Sequence, residues 1–568
     1  MLNRLTASFL IVLVMLPTLL SAQPSKPVSL LLVNGKVFTA DANYSIAEAV
    51  AIDGGRIVEV GRSADLKRKY RSAKTIDLKG RLVTPGFNDA HLHFLRGAIA
   101  LLNVDLTGSK TLAEAKSKVA AKAKDSRPGE WIVGRGWDHT LWGGSFPNRR
   151  DLDEVAPANP VALIRVDGHV AWVNSKALEL ANVTSGTKAP DGGEIERDAN
   201  GNATGILKET AQALVARLIP PPTAEQQAKG MELALKMARE FGITSVQDNS
   251  GYETTKLYRQ FLNAGKLTVR VSEWQNFDDS VAELRRQRAE FASFKDDPNR
   301  LKLTTLKGYV DGTLGSKTAS MLAPFADDAA NSGLARKSPE ELTRMIIERD
   351  REGWQIALHA IGDRANRMAL DGFAEADRTN VTLTDSLTTP YRVRPERRHR
   401  IEHAQVVAPS DFRRFAELGI IASMQPSHAI TDQRWADSRL GEYRVLGAYA
   451  WHTLGSYRVH MPFGTDFPVE SMSPYRTLFS AFARQEENLS PAGGWQPQER
   501  ISIAEAIRCH TFESAFAEFA EKEKGTIEAG KLADLVVHSQ DLLSIEPKEI
   551  LKTNAVLTIF NGEIVFSR

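Results

Sequence analysis

Short hydrophobic segments alternate with amphipathic segments through the middle of the chain. Residues 222–242 and 338–353 place apolar side chains every three or four positions, which predicts helices with one buried face. The apolar segments between helical stretches are short, as buried strands are. There are eight of them, over residues 82–93, 243–248, 267–274, 301–310, 354–360, 399–405, 419–426 and 458–467. Eight strand–helix units predict an α/β fold whose parallel sheet closes into a (β/α)8 barrel of the TIM type.

The two ends of the chain carry a different pattern, in which short strands flank Asn-Gly and Gly-Gly turns. The segments with this pattern are residues 28–37, 48–60, 533–539 and 555–566. The simplest arrangement pairs both ends into one small β-sandwich, built from residues 23–84 and 525–568. The rest of the chain is then inserted between the two parts of the sandwich.

The barrel domain is expected over residues 85–524, and it contains an insertion of its own. The first two strand candidates are separated by far more residues than any other neighbouring pair. Structureless loops of that length are rare in compact domains. An inserted subdomain is therefore expected after the first barrel strand, over about residues 95–235.

The first 22 residues resemble a secretory signal peptide. Arg4 precedes an apolar run from Phe9 to Leu20, and small residues follow, ending at Ala22. That run of about 12 residues is shorter than the roughly 20 needed to span a bilayer. We expect cleavage after Ala22, export to the periplasm or the medium, and no stable membrane span afterwards.

Composition excludes several classes of function. The net charge is +2 and no basic run is present, so nothing in the chain would attract nucleic acid. The single cysteine, Cys509, cannot form an intramolecular disulfide. Because Cys509 lies in a helical pattern, it is read as a packed residue and not as a nucleophile.

Two histidines end the first strand candidate. His91 and His93 are two positions apart, so on a strand both point to the same side. A metal ion would hold two neighbouring imidazoles in this arrangement, but a hydrogen-bonded pair of core histidines is an equal alternative. The motif alone does not decide between them.

Three further polar residues end other strand candidates. They are His359 after the fifth, His403 after the sixth and Asp466 after the eighth. Active sites of (β/α)8 barrels lie at the carboxyl ends of the strands. Four histidines and an aspartate at that one face indicate a metal centre.

The motifs around these residues resemble the amidohydrolase superfamily of metal-dependent hydrolases. The similarity is strongest to the branch of YtcJ-like proteins and N-substituted formamide deformylases. It extends over nearly all of residues 28–568. The motifs that carry it are PGFNDAHLH (85–93), GWDHTLWGG (136–144), PVALIRVDGHVAWVNSKAL (160–178), DGTLGSKTA (311–319), LHAIGDRAN (358–366), RIEHAQ (400–405), FGTDFPVE (463–470) and GTIEAGKLADLVV (525–537).

The resemblance implies two divalent metal ions, usually zinc, bridged by a carboxylated lysine from the fourth strand. Manganese and iron are alternatives, since the same ligand types accept them. By analogy, His91, His93 and Asp466 hold one ion, and His359 and His403 hold the other. The lysine at the matching position is Lys307.

The position of Lys307 agrees with that assignment on physical grounds. An ammonium group inside an apolar barrel is unfavourable unless it is paired or neutralised. Reaction with carbon dioxide would convert the amine into a carbamate anion, whose two oxygens can bridge two cations. The alternative is a lysine whose charged end reaches out of the strand into water.

The resemblance also implies the reaction. A metal-activated hydroxide would attack a carbonyl carbon, with Asp466 accepting the proton and passing it to the leaving nitrogen. We therefore expect a hydrolase of a carbon–nitrogen bond other than a peptide bond, acting on a small amide or formamide. One alternative is a lactonase or esterase with the same site, and another is a non-catalytic regulatory or binding member of the family.

Further candidates lie around the expected site. Three residues are candidates for substrate binding: His169 and Trp137 in the insert, and Asp311 after strand four. Trp137 could instead fill the core of the insert, and Asp311 could order its loop. Asp89 and Asp363 lie near ligands and could orient imidazoles. His139 and Trp142 either line the pocket or fill the core of the insert. Structural or surface positions are assigned to the remaining histidines, His399, His428, His452, His460, His510 and His538. Relatives of this type are often homo-oligomers.

Overall fold

The computed structural model describes residues 25–166, 168–380 and 397–568. The predicted leader, residues 1–22, lies outside these ranges. Across the described ranges, no helix combines the length and the hydrophobicity that crossing a membrane requires.

Seven parallel strands form the barrel wall, each paired with its neighbour in chain order. They are Phe87–Leu92, Ile243–Asp248, Arg270–Asn276, Leu301–Tyr309, Gln355–Ala360, Arg400–His403 and Ile421–Ser423. The helices of this domain are Phe94–Ala100, Ala224–Glu240, Thr254–Asn263, Val281–Ser293, Pro339–Arg351, Asp363–Asn380, Phe412–Glu417, Pro426–Arg444, Trp451–Ser456, Pro474–Ala483, Ile503–Arg508 and Ser514–Ala517. The predicted α/β barrel is confirmed.

An eighth segment closes the ring where the sequence predicted a strand over residues 458–467. The Ala90 N–H of strand one donates to the Phe463 carbonyl at 3.1 Å, and Phe463 also bridges to Met424 after strand seven. The segment is irregular for two reasons. Pro462 has no N–H to donate, and Asp466 leaves the extended conformation with a φ of 56°.

The predicted strand over residues 82–93 is in fact two strands of different domains. Leu82–Pro85 belongs to the sandwich and Phe87–Leu92 to the barrel. Gly86 lies between them and packs directly on Thr244, where a Cβ atom would collide with the threonine side chain. The chain therefore passes from one sheet to the other at a position that only glycine fills without strain.

Residues from both ends of the chain form two sheets that share an apolar core. The strands of the first sheet have the order Arg56–Gly61, Ala49–Asp53, Lys26–Val33, Tyr70–Asp77. The strands of the second sheet have the order Glu563–Ser567, Ala555–Phe560, Leu535–His538, Leu82–Pro85, Lys36–Phe38, Ile46–Ala47. Leu32 from the first sheet and Val83 and Leu535 from the second are fully buried between them. The helix Ser63–Lys69 packs on the first of these sheets, whereas the helix Pro547–Ile550 packs on the barrel helix Pro474–Ala483 through Ile550. The additional β domain of the predicted fold is thereby confirmed.

A third sheet lies in the segment between barrel strands one and two. Its strands have the order Gly193–Arg197, Ala203–Glu209, Val170–Val173, Val161–Arg165, Ile132–Trp137, Val104–Asp105. The helices Leu112–Asp125, Arg149–Asp153, Ser175–Leu180 and Ala213–Ala216 accompany it. The flanking helix Ala224–Glu240 packs instead against the barrel core through Met231 and Leu235.

A buried charge cluster lies at the end of the barrel opposite the strand carboxyl ends. Glu518 is 2% exposed, and its carboxylate is 2.7 Å from both the Lys302 and the Lys524 ammonium groups. Asn88 donates a further hydrogen bond to it at 2.8 Å. Although burial opposes ionisation, the two lysines hold the pKa of Glu518 at about 2. The cluster joins strands one and four to the segment that leads back to the sandwich.

Replacing Glu518 with glutamine is expected to lower the free energy of unfolding by about 3 kcal/mol, because the buried Lys524 and the partly buried Lys302 ammonium groups then lack their counter-ion. Thermal melting followed by circular dichroism measures the effect. Glu523→Gln is the matched control, since Glu523 pairs with Arg56 at the surface, where side chains are 40% and 45% exposed. An exposed pair contributes less than about 1 kcal/mol. Equal melting temperatures for the two variants would contradict a stabilising role of the cluster.

Candidate metal centre

His91 and His93 meet Asp466 where the first strand ends. Their Nε2 atoms are 3.6 Å and 3.3 Å from Asp466 Oδ1. The ligand atoms of the three residues all lie within 4.8 Å of one another, as the donors of one metal ion do. Strand one and the closing segment are held together here, because the Asp466 N–H donates to the His91 carbonyl at 2.7 Å.

Hydrogen bonds fix which nitrogen of each imidazole can bind a cation. His91 Nδ1 is 2.6 Å from the Glu402 carboxylate, and His93 Nδ1 is 3.2 Å from the Asn249 carbonyl. These oxygens accept hydrogen bonds, so each Nδ1 carries the proton. The Nε2 lone pairs are left facing Asp466. Such partners orient metal-binding histidines in known sites.

His359 and His403 form the second part of the site. Their ring centroids are 4.5 Å apart, and His403 is 5.2 Å from the His91 ring. His359 Nε2 is 3.0 Å from the Gly312 carbonyl, so Nε2 carries the proton and Nδ1 keeps the lone pair. Burial lowers the pKa of His359 to about 3 and that of His91 to about 4, and it holds the pKa of His403 well below its ordinary value. Neutral imidazoles are the form that binds metals.

Lys307 lies between the two parts of the site. Its Nζ is 3.3 Å from His91 Nε2 and 4.9 Å from the centre of the Tyr309 ring, and the residue is 2% exposed. Burial lowers the pKa of Lys307 to about 8. Roughly a tenth of the amine is therefore unprotonated at pH 7, far more than for a lysine in water, and this is the form that reacts with carbon dioxide.

Asp466 is the most central group of the site. Its pKa stays well below the ordinary value, because His93, His91, His403 and His428 favour the carboxylate more than burial opposes it. Its Oδ1 atom is buried and has no hydrogen-bond partner among the described residues. Both Asp466 and His403 have positive φ values, 56° and 74°. Such backbone conformations are uncommon outside glycine and cluster at functional sites.

These features fit a divalent metal ion. The donors are neutral imidazoles and one carboxylate, which suit zinc and its neighbours in the periodic table. Within the described chain, the buried Nδ1 of His403 and Oδ1 of Asp466 have no hydrogen-bond partner. Unsatisfied buried polar atoms are unfavourable by about 1–3 kcal/mol each. A cation between these groups would satisfy them.

Three buried aspartates support the loops that carry the ligands. Asp89 accepts hydrogen bonds from the backbone N–H groups of His91 and Thr465, at 3.2 Å and 3.0 Å. Asp311 accepts three, from Ser320, Ile361 and Gly362. Burial raises the pKa of both carboxyls to about 7. Asp363 begins the helix after strand five and accepts from Leu322 N–H at 2.7 Å.

Asp311 also lies beside the proposed ligands. Its Oδ1 is 3.6 Å from His359 Nε2. The three backbone hydrogen bonds make Asp311 a support of the loop after strand four, one of the two roles expected for it. Contact of Asp311 with a substrate stays a prediction.

The two insert residues predicted to bind substrate lie in different environments. Trp137 is fully buried in the insert's own core, where it contacts Trp142 and Trp172 and donates to the Leu163 carbonyl at 2.9 Å. The structure therefore gives Trp137 a packing position, and its contact with a substrate stays a prediction. His169 is at the insert surface, with Nδ1 3.0 Å from a Glu209 carboxylate oxygen. Its part in substrate binding stays a prediction.

Sequence reasoning missed two side chains at the site. Glu402, directly before His403, is fully buried beside His91. His428, which was grouped with the structural histidines, has its Nε2 atom 3.5 Å from Asp466 Oδ2. In the motif RIEHAQ, strand alternation places Glu402 on the face opposite His403, so the motif carries no separate signal for Glu402. His428 lies on a helix, where strand alternation gives no signal.

Glu402→Gln is expected to weaken metal binding by about 10- to 100-fold, because glutamine accepts from His91 Nδ1 without the negative charge. Glu402 is itself held by Arg400 and has a pKa of about 2, since the nearby cations outweigh its burial. The measurement is competition for zinc with a chromophoric chelator. Glu499→Gln is the control, because Glu499 is also buried but accepts from Thr453 outside the site. Equal affinities in both variants would contradict an orienting role of Glu402.

Comparison with known proteins agrees with this geometry. The sequence profile of the amidohydrolase family matches residues 74–566, and a bacterial imidazolonepropionase-like composite domain matches residues 49–73. Three curated relatives match most of the chain. Protein LONG AFTER FAR-RED 3 of Arabidopsis thaliana is 33% identical, and the match covers 90% of this chain and 87% of that protein. The putative amidohydrolase YtcJ of Bacillus subtilis is 29% identical, with 94% of this chain and 98% of YtcJ covered. N-substituted formamide deformylase of Arthrobacter pascens is 28% identical, with 95% of this chain and 98% of the deformylase covered.

A solved structure of similar shape also covers nearly the whole chain. It is an uncharacterized metal-dependent hydrolase from Pyrococcus furiosus, 29% identical, with a TM-score of 0.72 over 91% of this chain and all of the other. The profile match alone spans most of the chain. The chain therefore belongs to the amidohydrolase family, in the branch that includes YtcJ and N-substituted formamide deformylase.

Proposed function

We propose that the protein is a metal-dependent hydrolase that cleaves a carbon–nitrogen bond other than a peptide bond, in a small amide or formamide. The observation that carries the proposal is the meeting of His91, His93 and Asp466 with Lys307 Nζ, which is 3.3 Å from His91 Nε2. The similarity to an N-substituted formamide deformylase supports the choice of bond.

The proposed centre holds two divalent ions, zinc first, with manganese or iron as alternatives. His91, His93 and Asp466 would hold one ion, and His359 and His403 the other. Lys307 would bridge them as a carbamate, formed when its neutral amine adds to carbon dioxide and releases one proton. When bound, such ions lower the pKa of water and polarise a carbonyl oxygen.

Asp466 is the proposed base. Its carboxylate is ionised and close to the imidazoles, so it can accept the proton of the attacking water. The water oxygen bonds to the carbonyl carbon, the carbon–nitrogen bond breaks, and Asp466 returns the proton to the leaving nitrogen. The products are a carboxylic acid, or formate, and an amine.

Removal and return of metal test this proposal. The protein is treated with a chelator, dialysed, and assayed before and after addition of zinc or manganese. The substrate panel contains N-substituted formamides, N-acyl amides, lactones and simple esters. Metal-dependent cleavage of formamides or amides is the expected result.

Two other outcomes would contradict the proposal in different ways. Metal-dependent cleavage confined to lactones or esters would support the metal centre but show that the bond cleaved is an ester bond and not a carbon–nitrogen bond. Full metal content with no hydrolysis of any compound on the panel would favour a non-catalytic binding protein.

A further inference from the structure

His428 lies at the metal centre although it comes from a helix. It is the third residue of the helix Pro426–Arg444, directly after barrel strand seven. Its Nε2 atom is 3.5 Å from Asp466 Oδ2. Its ring is nearly parallel to that of His403, with centroids 5.8 Å apart and an angle of 15° between the planes.

His403, His428 and Asp466 form a group whose ligand atoms lie within 4.8 Å of one another. Three atoms of this group are buried and have no hydrogen-bond partner in the described chain: His403 Nδ1, His428 Nε2 and Asp466 Oδ1. A single orphaned atom is tolerated in many proteins. Asp466 Oδ1 faces His91 and His93, whereas Oδ2 faces His428, so the carboxylate offers one oxygen to each side of the centre. The two orphaned imidazole nitrogens beside it indicate a further cation ligand.

A purely structural role explains the position of His428 less well than metal binding does. Its neighbour one turn further along the helix, Asp432, accepts its hydrogen bonds from Gln405 at 2.8 Å and from Tyr449 at 2.5 Å. Those bonds attach the helix to the barrel without His428. The imidazole is thus available for a cation between His403 and Asp466.

We propose that His428 is an additional ligand of the second ion, beside His359 and His403, with Asp466 Oδ2 adjacent to it. This inference rests on the proposed metal centre and adds to it a fifth imidazole. Nitrogen donors favour zinc, whereas manganese prefers oxygen donors. His428 would therefore strengthen binding at the second position and bias it towards zinc.

The test is a zinc titration of metal-free protein against a chromophoric chelator, for wild type, His428→Ala and His428→Gln. Both variants are expected to keep the first site unchanged and to bind the second zinc at least tenfold more weakly. Their preference for zinc over manganese at that site should fall as well. His452→Ala is the matched control, because His452 is exposed, and it should titrate like wild type.

A cobalt titration provides a second readout that does not depend on activity. Loss of an imidazole should change the visible absorption of the second cobalt ion in both His428 variants and leave it unchanged in His452→Ala. Melting curves of the metal-free proteins check that the variants fold. Two wild-type-like zinc sites in His428→Ala and His428→Gln would overturn the inference and leave the proposed function intact. A wild-type protein that binds no metal would overturn both.

Discussion

Asp466→Asn is expected to reduce kcat by about 10³-fold, which corresponds to roughly 4 kcal/mol of transition-state stabilisation. Asparagine keeps an oxygen that can contact a cation, but it cannot accept a proton from water. The variant should therefore keep most of its metal while it loses turnover. Metal content measured by mass spectrometry, together with the rate on the best substrate of the panel, tests both parts.

The control for this variant is Asp411→Asn. Asp411 is also buried, and it pairs with Arg367 and Arg414 on the outside of the barrel. Its replacement should affect stability more than the rate at saturating substrate. An Asp466→Asn protein that keeps wild-type kcat would exclude the aspartate as the base.

Lys307→Ala is expected to remove the group that bridges the two proposed ions. Metal content should fall from about two ions per chain to about one or less, and hydrolysis should fall by at least about 10³-fold. The reason is that no anion remains between the two parts of the site. Lys266→Ala is the control, because Lys266 is exposed and pairs with Glu232 at the surface.

Two further measurements separate the carbamate from a simple role of Lys307 in packing. A short carboxylate such as acetate should partly restore metal content and activity to Lys307→Ala, since it can enter the space left by the side chain. Labelled bicarbonate should give a carbamate carbon resonance in wild type that the variant lacks. Wild-type metal content in Lys307→Ala would remove the lysine from the centre.

Strand alternation was enough to predict much of the site. His91 and His93 share a face because side chains on a strand alternate. His359, His403 and Asp466 were predicted because they end strands of one parallel barrel, and such ends meet at one face. The structure brings these residues together with Lys307.

Positive φ values explain why Glu402 was missed. Alternation places Glu402 and His403 on opposite faces of strand six, so a sequence reading accepts only one of them as an interior residue. The structure turns the backbone at His403, where φ is 74°. Glu402 and His403 therefore both lie next to His91. The Glu402 carboxylate is 2.6 Å from His91 Nδ1, and the ring centroids of His403 and His91 are 5.2 Å apart. No local pattern in the sequence predicts such a turn.

The insert limits what sequence can say about the substrate. Trp137 lies in an aromatic motif that resembles a pocket wall, but tertiary packing places it in a core with Trp142 and Trp172. Burial of large aromatic rings stabilises a small subdomain of this kind. An aromatic motif therefore predicts a contact surface or a core equally well.

X-ray diffraction from crystals of the wild-type protein, recorded on both sides of the zinc absorption edge, tests the central claim most directly. The account predicts two anomalous peaks at the carboxyl ends of the strands. One should contact His91, His93 and Asp466, the other His359 and His403, and density for a carbamate on Lys307 should join them. Crystals grown with zinc that show no peak among these side chains, or an unmodified Lys307 directed away from His91, would contradict it.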